Sequence, residues 1–109
     1  MKTSELTGPA LDWAVHMVLN PDEHIKPGCS APPYSSDWLW GGPIIEEERI
    51  GVGFVRWDDI DEALPLWVAY KCSGSAAFEA EGFSPLIAAM RCYVASKLGD
   101  TIEVPEGLQ

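Results

Sequence analysis

The residues best equipped for contact or chemistry lie in Tyr34-Ser35-Ser36-Asp37-Trp38-Leu39-Trp40-Gly41-Gly42-Pro43. Aromatic faces, hydroxyls, a carboxylate and a Gly-Gly pair are the ingredients of a ligand loop or a protein-contact surface. Tyr34, Asp37, Trp38, Trp40, Gly41 and Gly42 are therefore the candidate binding residues, with Gly41-Gly42 as a permissive hinge. A competing reading makes Trp38 and Trp40 the roof of a small core and Asp37 the cap of a local turn. Acids form a second group. Glu46, Glu47 and Glu48, with Asp58, Asp59, Asp61 and Glu62, make a candidate acidic surface.

Catalytic chemistry finds no foothold. The run Asp58-Asp59-Ile60-Asp61-Glu62 lacks the glycine of a calcium loop, and Ile60 breaks the alternation of oxygen ligands. His16, His24, Cys29, Cys72 and Cys92 carry metal-capable atoms, but in no Cys-x-x-Cys or His-x-x-x-His pairing. Gly-x-Ser-x-Gly is missing, and Gly51-Val52-Gly53 has neither the third glycine, the helix nor the Lys of a phosphate cradle. The expectation is a protein without enzyme activity, metal or cofactor.

Charge narrows the partner. Seventeen acids against seven bases give a net charge of −10 over 109 residues. Nucleic-acid binding needs cations that displace condensed counterions, so direct binding of DNA or RNA is disfavoured and a basic protein partner is favoured. Acidity also serves solubility alone. The three cysteines are widely spaced, and the apolar stretch at 10–19 is short and interrupted by Asp12 and His16. No secretory signal or membrane span is expected. Reduced thiols in a cytoplasm fit best.

The elements that must position these groups are legible in part. Ser84-Pro85 caps and opens a helix that Gly99 ends, about four turns later. Leu11, Val15 and Val18 recur at helical spacing, so a first helix runs from a cap at Thr7 to Asn20-Pro21, with Thr3 to Leu6 as a separate turn. Residues 21–43, rich in Pro, Gly and Ser, read as a long ordered loop held down by its aromatics. Ile44-Ile45 is a short strand, Arg49 to Trp57 and Leu66 to Cys72 are long ones, and Ala76 to Glu81 is an edge strand. Bare Gly51 and Gly53 invite a helix or another backbone to pack on that face. The expected fold is α+β over a single domain, 1–109. An antiparallel sheet of three to four strands carries the N-terminal and C-terminal helices on one face. Its core is built from Leu11, Val15, Val18, Val52, Phe54, Val68, Tyr70, Ile87, Met90 and Val94.

Three stretches together resemble the NinX-like family of small proteins of unknown function from tailed bacteriophages and prophages. They are Lys2 to Val15, Tyr34-Ser35-Ser36-Asp37-Trp38 leading into Gly41-Gly42-Pro43-Ile44-Ile45, and Ser84 to Asp100 running into Glu103-Val104-Pro105. Pro9 and the stretch 16–33 depart from the family pattern. The resemblance implies phage origin, action in the cytoplasm of an infected or lysogenic bacterium, and no assigned activity. The leading expectation is an accessory protein that binds a host or phage protein through an acidic, aromatic-flanked surface. The alternative is a nucleotide-type ligand bound by the Trp38–Gly42 segment, with homo-oligomerisation compatible with either.

Overall fold

The computed structural model describes residues 1–22, 30–57 and 65–105. Asp58, Asp59, Asp61 and Glu62 of the candidate acidic surface lie outside the described residues, as do His24 and Cys29. A 3-10 turn over Thr3–Glu5 leads into α1 (Gly8–Leu19), which is followed by α2 (Trp38–Glu48). Three strands come next, β1 (Gly51–Trp57), β2 (Pro65–Ser73) and β3 (Ala76–Gly82), and then α3 (Pro85–Leu98). The sheet is antiparallel throughout, in the order β1-β2-β3. This is the expected α+β arrangement.

α3 is the organising element, and its ends are where sequence chemistry puts them. Ser84 Oγ accepts from Ile87 N–H at 3.1 Å, Pro85 opens the helix, and Gly99 leaves it at a positive φ of 90°. The helix lies across all three strands and packs against α1 and α2. Its Ala88, Ala89, Met90, Cys92, Tyr93 and Val94 join Leu11, Ala14, Val15 and Ala69 in one buried cluster. Close approach to the sheet depends on Gly82, where a Cβ would sit 2.8 Å from the Ala88 amide nitrogen. The half-buried Arg91 binds two distant segments: Nε donates to the Leu6 carbonyl at 2.8 Å, and a terminal nitrogen donates to the Glu81 carbonyl at 2.7 Å.

Expectations about the elements fail at two places, each for a physical reason. Ile44-Ile45 is no strand but the buried flank of α2, and the expected loop at 21–43 is helix from Trp38 onward. Asp37 accepts from Leu39 N–H at 2.9 Å and starts a helix six residues before Pro43. Proline inside a helix removes one backbone bond and crowds the preceding turn. Burial of Ile44 with Ile45 against the core offsets the loss. Arg49, at φ 54°, ends the helix.

The second failure concerns which sheet face is covered. Register pairs Val52 with Ala69 and Ala69 with Ala80, and these face α3. Tyr70 points the other way and is 56% exposed. Val68 shares its side of the sheet, since alternate residues point to opposite faces. Phe54 is exposed as well, its ring meeting Trp67 edge-to-face at 5.2 Å. Nor do Gly51 and Gly53 receive a helix. The Tyr70 ring lies across Gly51, and nothing comes within 4 Å of a Cβ placed on Gly53.

Candidate functional site

α2 sorts its residues cleanly. Gly41, Ile44, Ile45 and Glu48 follow one another at helical spacing on the inner side, with Gly41 and Ile44 buried. Leu39, Pro43 and Glu46 run down the outer side, with Trp40 and Glu47 on the adjoining row, and all five are exposed. At its amino end Trp38 is 56%, Leu39 76% and Trp40 43% exposed. Apolar area left to water on this scale marks a contact surface more often than a scattered single residue does.

The base of this surface is rigid. Tyr34 is buried, and its ring meets Trp40 in a T-shaped contact at 5.9 Å. Ser35 sits beside it, with its N–H at 2.8 Å and its hydroxyl at 2.7 Å from the same Asp12 carboxylate oxygen. Asp12 belongs to α1 and is only 8% exposed, so this pair latches the 34–36 turn onto the first helix. Gly41 completes the fit. A Cβ there would overlap the Tyr34 carbonyl oxygen and come within 2.6 Å of Leu86 Cδ2. Gly41 is therefore a point of close approach, not a hinge, and Gly42 has only Trp38 near it, at 3.8 Å.

A groove of about 300 Å³ runs between the starts of α2 and α3, lined by Ser35, Ser36, Trp38, Ser84, Pro85, Leu86 and Ile87. Both helix starts are already capped, by Asp37 and Ser84.

Of the acidic stretch, Glu46 and Glu47 face water, whereas Glu48 turns inward. One Glu48 oxygen lies 3.2 Å from Lys71 Nζ and 3.2 Å from Lys97 Nζ. Lys71 is buried and also reaches the Ser96 hydroxyl at 3.4 Å. Glu48 thus anchors α2 to β2 and α3 and is not part of a free acidic surface. Burial pushes its carboxyl up, but the hydrogen bonds and charges of Lys71 and Lys97 outweigh that and hold it below 4.5. A depressed folded value contributes stability above the ordinary carboxylate range, and that contribution disappears as pH falls through the lowered value. Glu48→Gln should therefore be less stable than wild type near neutral pH and lose less on acidification. Urea melts at about pH 7 and about pH 3 check this, and an unchanged pH slope refutes it.

The buried thiol offers no nucleophile. Burial, with Glu79 adding to it and Lys71 opposing, pushes Cys92 up to about 11, and its Sγ donates to the Phe78 carbonyl at 3.5 Å. Among the described residues no three His, Cys, Asp or Glu side chains gather where they could hold a metal ion. None of the described helices is long and apolar enough to cross a membrane.

Residues 2–97 match the family model described as Bacteriophage P22, NinX. The chain belongs to the NinX family. That span takes in α1, the Asp12–Ser35 latch, α2, the sheet and nearly all of α3. NinX membership assigns no activity, and no curated protein matches the chain. Of the sequence-chosen residues, the NinX fold brings together Tyr34, Asp37, Trp38, Trp40 and Gly41. Sequence reasoning missed Leu39, the most exposed large apolar side chain among the described residues, and the latch residue Asp12. Nothing in the sequence flags a Leu between two Trp as solvent-facing until the helix beneath it is known.

Proposed function

We propose that this chain is a non-enzymatic phage accessory protein that docks onto a protein partner through the outer side of α2. The partner presents an apolar pocket flanked by Lys or Arg. It acts in the cytoplasm of the infected or lysogenic bacterium, a setting that family membership supports. The observation that carries the reading is one helix with Trp38, Leu39 and Trp40 uncovered at its start and Glu46 and Glu47 exposed at its end. Exposed Trp residues on a fixed base supply large contact area at small entropic cost, the usual make-up of a binding hot spot. The two acids speed encounter with a basic surface and exclude acidic partners and nucleic acid.

The test is capture from phage-infected cells with the full chain as bait, repeated with Leu39→Glu and with Glu46→Gln/Glu47→Gln. The captured protein should be retained about tenfold less by Leu39→Glu, as expected for loss of a hot-spot side chain. Its retention should fall with added salt for wild type and change less for the double variant. Retention that ignores both Leu39→Glu and salt would sink the proposal.

A second reading places a nucleotide-type ligand in the groove beside Trp38, whose wall includes Ser36 and Ser84. A ligand at a hundredfold its dissociation constant stabilises a protein by about 2.7 kcal/mol. A nucleotide thermal-shift screen therefore separates the two readings, since docking through α2 predicts no shift.

A further inference from the structure

None of the described elements covers the sheet face turned away from α3, and two of its cross-strand rows have unlike chemistry on their two flanks. One row runs Gly51–Tyr70–Glu79 and the next Gly53–Val68–Glu81. On the β1 side there is no side chain at all. On the β3 side there are two exposed carboxylates two residues apart. Between them stands Tyr70, its ring lying across Gly51 with the free side open to water. Gly53 leaves a hollow beside Val68.

The geometry points to a docking site for an arginine-bearing segment of a partner protein, separate from α2, with guanidinium stacked on Tyr70 and paired to Glu79 or Glu81. A planar cation is favoured over the face of an aromatic ring, and Arg stacks there better than the compact, strongly hydrated ammonium of Lys. Directly opposite side chains in an antiparallel pair lie roughly 5 Å apart, so one guanidinium can meet Tyr70 and the Glu79 carboxylate together. Charge selects this occupant over others. A second copy of the chain laid row on row would set Glu79 and Glu81 against their own kind, at −10 per chain. A phosphate backbone or an anionic membrane meets the same two carboxylates.

The experiment uses the full chain, labelled with nitrogen-15, titrated with tetra-arginine, tetra-lysine and tetra-glutamate peptides at fixed salt. Tetra-arginine should give saturable shifts at the amides of Gly51, Gly53, Val68, Tyr70, Glu79 and Glu81, and tetra-glutamate none. It should bind about two- to fivefold tighter than tetra-lysine, the range of an exposed cation–π contact. Tyr70→Leu should erase that preference, while Tyr70→Phe, which keeps the ring over Gly51, should retain it. Glu79→Gln/Glu81→Gln should weaken both cationic peptides. Equal affinity for the two peptides, loss of the preference in Tyr70→Phe, or shifts confined to Glu46 and Glu47 would each overturn the proposal. So would shifts at the same amides on concentrating the chain alone, which would assign the face to a homodimer. Leu39→Glu leaves every one of these readouts in place, so failure of α2 docking and failure of this site are told apart.

Discussion

Asp12→Ala should destabilise the protein by about 3 kcal/mol, among the largest losses available to a single polar side chain here. The Asp12 oxygen receives two hydrogen bonds from Ser35, both in a buried setting. Hydrogen bonds to a charged group contribute roughly 1.5–3 kcal/mol, and a buried donor left unpaired forfeits its hydration as well. Truncation strands the Ser35 N–H and its hydroxyl at once. Ser35→Ala is the milder companion, at about 1 kcal/mol, because the backbone donor keeps its acceptor. Urea denaturation measures both. A loss below about 1 kcal/mol for Asp12→Ala would mean that the 34–36 turn holds its place without the latch.

Gly41→Ala should cost about as much, through volume instead of polarity. The added methyl meets a backbone carbonyl, that of Tyr34, and not only the flexible tip of Leu86. A backbone atom yields only if the turn moves, and overpacking of this kind costs about 1–3 kcal/mol or more. Here the turn is also pinned by Asp12, which puts the expectation at the upper end. Neighbouring Gly42 is the control. Its substitution meets only ordinary contact with Trp38, so Gly42→Ala should stay within about 1 kcal/mol of wild type. Thermal melts should separate the pair by about 10 °C or more. Two glycines acting as a hinge would respond alike, and equal midpoints would restore that interpretation.

The elements that announced themselves in the sequence were those with chemistry at their ends. Ser84-Pro85 and Gly99 bracket α3, and Leu11, Val15 and Val18 mark α1, because caps and apolar spacing are local signals. α2 carried the opposite local signal. Gly41-Gly42-Pro43 reads as a chain breaker, and only the burial of Ile44 and Ile45 against distant elements overrides it. The strands were visible by their alternation, but alternation defines two faces without saying which is covered. Ala69 is buried and Tyr70 exposed because α3 covers the Ala69 side, where Ala88 and Ala89 of the helix and Ala80 of the neighbouring strand join the same buried region. For the candidate site, residue types sufficed to find Tyr34, Trp38 and Trp40. Glu48 looked identical to its two neighbours, and only the turn of the helix sends it to Lys71 and Lys97.

Arg91 has a bearing on how the chain behaves among its own copies. β3 borders the sheet, and an unguarded border invites a foreign strand to extend it, the first step toward fibrous precipitates. The guanidinium already holds the carbonyl of Glu81, so an incoming amide finds that acceptor taken. Because the same side chain grips Leu6, the guard cannot swing aside without loosening the start of the polypeptide. One cation thus closes the Glu81 position of that margin and ties the Leu6 segment in place at the same time.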